Sequence, residues 1–223
     1  MKKGIQTGLL AVALVLAGAT LAFALPIYSE SFEADEQIQG FNTVGAGGTV
    51  GNSMIVTGGE VDWIGTYWQA SDGTHSLDMS GSQLGTIAEV NLNTIIGNLY
   101  EVSFDMAGNP VGPPELKNMY ASINPPLEVY AFSFDTSSTN VSDMGWISNS
   151  FQFTAESMIT TLLFGDLSIN LNNPLNNFYG AALDNIVVDD LGIAPAPVPE
   201  PATLLLMATG LIGLVGFRKK FKK

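Results

Sequence analysis

No cysteine occurs anywhere in the 223 residues. A disulfide framework, a thiolate metal site and a cysteine nucleophile are thereby excluded, and stability has to come from a core or a bound ion. Histidine is almost absent too. His75 stands alone, so any Ser-His-Asp triad depends on it, and no Gly-x-Ser-x-Gly elbow precedes a helical stretch. Basic residues are scarce and confined to the ends. Between Leu25 and Pro201 only Lys117 opposes all 21 acids. Such a surface repels phosphate backbones, which excludes nucleic acid as a partner and leaves room for hard cations such as calcium. From Tyr28 to Leu191 no window carries an apolar stripe of helical period. Gly45, Gly47, Gly48 and Gly51 therefore have no following helix to form a phosphate cradle and read as a flexible loop. Asp72-Gly73 and Asp78 likewise miss the spacing and the helices of an EF-hand.

What is present is strand pattern. Tyr100-Glu-Val-Ser-Phe-Asp-Met106 alternates apolar and polar residues at period two, as a half-buried strand does. Leu127 to Phe134, the flanks of Phe151-Gln-Phe153, Ile159 to Phe164 and Ala181 to Val188 give four more. Turn residues cluster between them, at Asp72-Gly73, Gly108-Asn109-Pro110 and Gly112-Pro113-Pro114. Many short strands with frequent turns predict a β-sandwich or barrel.

The two ends differ from this middle. Lys2 and Lys3 precede the apolar stretch Gly8 to Leu21, and Ala22-Phe23-Ala24 has the small-x-small form that signal peptidase cuts after Ala24. A permanent N-terminal membrane helix is the competing reading. At the far end, Pro199-Glu200-Pro201 cannot continue a helix backwards. The 16 residues 202–217 carry no charge, and five of the last six residues are Lys or Arg. As a helix, that run would span about 24 Å, slightly short of a hydrocarbon core of about 30 Å. The basic end would stay cytoplasmic. This order resembles the PEP-CTERM sorting signal of Gram-negative bacteria, in which a membrane exosortase removes the helix. An ordinary C-terminal anchor is the alternative. The predicted organisation is a signal peptide (1–24), a sandwich domain (25–191), a Pro-rich linker (192–201), a transmembrane helix (202–217) and a basic tail (218–223).

The middle also carries recognisable motifs. They are Gly58-Gly-Glu-Val-Asp-Trp-Ile-Gly-Thr-Tyr-Trp-Gln-Ala-Ser-Asp-Gly73, Ser76-Leu-Asp-Met-Ser-Gly81, Tyr100 to Pro110, Met144-Gly-Trp146 and Ala182-Leu-Asp-Asn-Ile186. Together they resemble the choice-of-anchor C family of exported domains over roughly Ser31 to Val188. The resemblance implies an all-β fold, a galactose-binding-like jelly-roll β-sandwich, and no established activity. Related carbohydrate-binding jelly rolls hold a structural calcium between an N-terminal Phe-Glu and a C-terminal Asp-Asn. The matching residues here are Glu33 and Asp184.

Trp63, Tyr67 and Trp68, with Trp146 as a second locus, are the candidate sugar platform, because sugar C–H groups dock on flat aromatic faces. Core packing is the other reading of the same residues. Asp62, Asp72, Asp78 and His75 could suggest hydrolysis by paired carboxylates, but the distance between carboxylates on different strands cannot be read from sequence. The expectation is an exported, non-enzymatic sandwich binding matrix or envelope polysaccharide, processed by signal peptidase and exosortase and held transiently at the inner membrane. The alternative is a structural matrix protein that binds other proteins or no ligand.

Overall fold

Period-two alternation decides the long inner strand β8 (Asn98–Gly108). In it, Tyr100, Val102, Phe104 and Met106 are buried while the residues between them are partly exposed. β8 lies between β11 (Ile147–Thr154) and β13 (Ala181–Ile193). From β13 the sheet continues through β6 (Ser76–Asp78) and β5 (Glu60–Ile64) to β2 (Phe41–Gly45), with β1 (Pro26–Glu30) also paired to β13. The second sheet runs β10 (Glu128–Asp135), β9 (Leu116–Asn124), β12 (Ile159–Asp166), β7 (Thr86–Asn93), β4 (Met54–Gly58), β3 (Thr49–Val50). All pairings are antiparallel. This computed structural model describes residues 26–33, 38–173 and 177–193. Ala24 and the signal segment, Pro199-Glu200-Pro201, the run 202–217 and the basic end lie outside the described residues.

The sheets pack face to face on aromatic rings. Phe104 meets Phe164 at 5.1 Å and Phe132 at 4.9 Å, both edge to face. Burying one such side chain stabilises the fold by about 1.5–3 kcal/mol. The predicted all-β jelly-roll sandwich is the observed architecture, with no helix among the described residues.

Three details depart from the sequence reading. β9 went unpredicted because Lys117 occupies its first core position, with Met119, Ala121 and Ile123 following on the same buried face. Gly45 to Gly51 is a tight structured crossing rather than a flexible loop. It ends β2, contains β3 and closes on Gly47 N–H to Val56 O at 2.8 Å. β13 runs to Ile193, two residues into the expected linker. Its Ala181-Ala182-Leu183-Asp184 is buried on both faces, which explains the nearly continuous apolar run. A register shift follows Asp184, where Asn185 adopts φ +50°, a left-handed conformation that Asn tolerates better than most side chains.

Candidate functional site

Strand register builds a floor on the outer side of the first sheet. Thr43 pairs with Asp62, Asp62 with Asp78, Asp78 with Ala182, and Ala182 with Ala107, across five adjacent strands. Phe41 and Tyr67 rise on one flank, edge to face at 5.5 Å and 72°. Val111, Phe178 and Tyr179 rise on the other, from the loops beyond β8 and before β13. The result is a cleft of about 370 Å³ with aromatic walls and polar groups of Thr43, Asp62, Ser82 and Asn109 along it. Phe41 and Phe178 are 46% and 42% exposed, large rings left open to solvent.

The wall is held from beneath by buried charge. Asp78 Oδ1 accepts N–H bonds from Ser80 and Gly180 at 3.0 Å each, and Oδ2 accepts from Asn109 Nδ2 at 2.8 Å. Burial pushes the Asp78 carboxyl well above its usual range, against the pull of the Asn109 and Ser80 hydrogen bonds. Asp166 behind it is also raised by burial and accepts the Ser80 hydroxyl at 2.6 Å. Lys117 Nζ donates to the carbonyls of Gly112 and Tyr179, both at 2.8 Å, fixing two wall segments. Burial lowers that ammonium to about 8, while Asp78 and Asp166 oppose the change. The lone base of the middle segment is thus spent on the cleft wall. Asp62 differs from Asp78. It is half-buried, also raised by burial, and among the described residues accepts the Thr43 hydroxyl at 2.6 Å.

The four expected platform residues do not share one surface. Trp63 and Trp68 are core residues, 6% and 5% exposed. Their indole N–H groups are satisfied inside, by Phe32 O at 3.1 Å and Ser76 Oγ at 2.8 Å. Neither presents a face to a ligand, and the platform role is corrected for both. Tyr67 lines the cleft. Trp146, half-buried, donates to Gln69 O at 2.9 Å beside a separate, shallower depression with Ser71 and Asp143. Phe41, Phe178, Tyr179 and Asn109 were missed. They are up to 138 positions apart, and only the strand register joins them.

Glu33 and Asp184 are tied to one loop. Glu33 accepts from Thr74 N at 2.6 Å, Thr74 Oγ1 at 2.9 Å, the His75 amide, and His75 Nδ1 at 3.1 Å. Burial raises its pKa, but these bonds outweigh it and leave the carboxyl below its ordinary value. Asp184 Oδ2 accepts the amides of Ser71 at 2.8 Å and Asp72 at 3.0 Å, and Oδ1 that of Asn185 at 2.7 Å. Burial lifts Asp184 to about 7, against those bonds. A calcium ion needs six to eight oxygens, whereas these carboxylates face N–H and O–H donors. Among the described residues no three His, Asp or Glu side chains group to hold a metal. The described donors do not fit the expected ion. They fit a loop clamp, with 71–75 held by the first strand's end and by the last strand. His75 is engaged in that clamp, outside the cleft, and Asp72 also lies away from Asp62 and Asp78.

Fold and cleft define an antiparallel β-sandwich with an aromatic groove on one sheet. Residues 28–189 match the family described as a protein of unknown function, DUF642, and the chain belongs to that family. Residues 197–220 match the PEP-CTERM protein-sorting motif, which implies export to the cell surface. Halomucin of Haloquadratum walsbyi is 30% identical over 162 residues, covering 72% of this chain and 2% of that protein. This chain therefore spans a very small part of that curated relative. The CBM22-1 xylan-binding domain of Paenibacillus barcinonensis Xyn10C is similar at TM-score 0.44 and 16% identity, over 77% of this chain and 97% of its own. CBM35 from Paenibacillus barcinonensis gives 0.43 and 16%, over 66% and 97%.

Proposed function

We propose that this is an exported, non-catalytic surface protein whose sandwich binds a polysaccharide in the cleft walled by Phe41, Tyr67 and Phe178. The observation that supports this most is the exposed Phe41–Tyr67 pair beside a polar floor. Rings accept the C–H faces of a sugar, while Thr43, Asp62 and Ser82 offer hydrogen bonds to its hydroxyls. Asp62 on the floor, in a segment with 21 acids against one base, disfavours polyuronates, so the ligand is a neutral or amine-bearing glycan. Asp62 and Asp78 stand side by side, but catalysis by a carboxyl pair needs both to reach the substrate. Asp78 is 1% exposed with both oxygens occupied. Burial of Trp63 and Trp68 is the observation that favours the structural-matrix alternative, in which the same cleft takes a protein side chain.

Signal peptidase and exosortase process the chain, and the run 202–217 holds it transiently in the inner membrane of a Gram-negative cell. The choice-of-anchor C resemblance is a finer placement consistent with that route. Replacing Glu200 by Ala should leave unprocessed precursor in the membrane fraction, and unchanged processing would remove the sorting reading. For the ligand, migration of the folded protein is retarded in gels containing a neutral β-glucan or chitosan and not in gels containing polygalacturonate. Free migration through every neutral and amine-bearing polymer would favour the matrix alternative.

A further inference from the structure

The strand ends opposite the cleft form a second surface. β7 turns into β8 through residues 94–97, β9 into β10 through 125–127, and β11 into β12 through 155–158. These turns lie together. Thr94 N–H donates to Met158 O and Gly97 N–H to Ala155 O, while Ile159 pairs with Asn93, Thr161 with Asn124 and Ile193 with Asn98. From this end project Ile95, Ile96, Leu127, Met158, Ile159 and Ile193, each between 50 and 84% exposed. The three turns contain one charged residue, Glu156, in a segment with 21 acids. Six open aliphatic side chains gathered at one end, where Glu156, Glu128 and Asp190 are the acids beside them, are more than the scattered apolar residues of an ordinary surface.

The chain itself indicates what covers them. Ile193 is the last described residue and belongs to the patch. Only the eight residues 194–201 separate it from the uncharged run 202–217. Eight residues reach at most about 29 Å fully extended. Wherever the run enters a bilayer, this end of the sandwich is held within that distance of it. Most of the 21 acids lie elsewhere and are repelled by anionic headgroups, which turns this acid-poor end toward the lipid.

We infer that the apolar end, Ile95, Ile96, Leu127, Met158, Ile159 and Ile193, docks on the outer leaflet of the membrane that carries the C-terminal run, seating these side chains at the headgroup–acyl boundary. This rests on the tail's delivery of the domain to a membrane, as proposed above. β8 spans the sandwich from Asn98 at this end to Gly108 beside the cleft, about 33 Å at the usual rise per residue. Docking therefore stands the domain upright with the glycan cleft on the sheet face at the end far from the lipid.

The absence of cysteine makes the test direct. Full-length chains carrying Ile96→Cys, Met158→Cys or Val111→Cys accept one environment-sensitive fluorophore each and are reconstituted into phosphatidylglycerol–phosphatidylcholine vesicles with brominated acyl chains. The probe at 96 and at 158 is expected to shift to the blue and lose at least half its emission, while that at 111, on the cleft, loses none. Chains that float with the vesicles but show no quenching at 96 and 158 overturn the docking and leave the anchor intact. Chains that do not float overturn both. A blue shift at 96 that grows with protein concentration without lipid assigns the face to a second copy of the chain and also overturns the inference.

Discussion

The two ends of the same sandwich solve opposite problems with the same strands. At the end near Gly108, carboxylates and amides are buried and interlinked so that a few rings can stand open around a polar floor. At the end near Asn98, the turns are almost uncharged and the open side chains are aliphatic. Flat rings with polar neighbours suit an oriented, hydroxylated ligand, whereas aliphatic side chains suit a fluid, non-directional one. Exposure alone does not distinguish the two ends; the chemistry around each exposed group does.

The contrast among aromatic residues breaks most dramatically under substitution. Trp68→Ala empties a core site and should cost about 3–5 kcal/mol in denaturant unfolding, enough to obscure any binding effect. Gly180→Ala comes next. A Cβ there meets Asp166 Oδ2 at 2.6 Å and Asp78 Oδ1 at 2.7 Å, so about 1–3 kcal/mol of stability is lost at the cleft end. Ile96→Ser at the other end should move the melting temperature of the lipid-free protein by no more than about 2 °C, since that side chain is mostly exposed in the isolated fold.

Acidity acts on the same asymmetry. Folded Asp184 keeps its proton up to about pH 7, while an unfolded Asp loses it near 3.9. Between those values the folded state binds more protons, so stability falls as pH rises from about 4 to 7. Asp78, Asp166 and Asp62 shift in the same direction. Glu33 and Asp190, which are lowered, give up stability only as pH falls through their folded values, below the ordinary carboxylate range. The melting temperature should therefore be highest near pH 4, on the order of 5 °C above its value at pH 7.5. Asp184→Asn should flatten part of that slope. The smallest expected effect is that of a chelator. With Glu33 and Asp184 clamping a loop rather than an ion, EDTA should leave the melting temperature unchanged, and a drop would restore calcium to the account.

How much of this was legible depended on sequence distance. Alternation along Tyr100 to Met106 revealed β8 because a strand's two faces are local information. Lys117 hid β9 because a buried base occupies a position that sequence reasoning assigns to solvent. Asp62 and Asp78 were noticed as acids, but their pairing is a property of the β5–β6 register. Trp63 and Trp68 looked like a platform because ring chemistry is visible in sequence and burial is not. Phe41 and Phe178 carried no local signal, since a cleft between distant loops exists only once the sheet is assembled.

The most direct test of the central claim is calorimetric titration of a neutral or amine-bearing oligosaccharide that the gel panel retains, against wild type, Phe41→Ala and Tyr67→Ala. The account predicts that each substitution weakens binding about tenfold, on the order of 1.4 kcal/mol, with little change in melting temperature. Full affinity in both variants would contradict it and move the ligand away from this cleft.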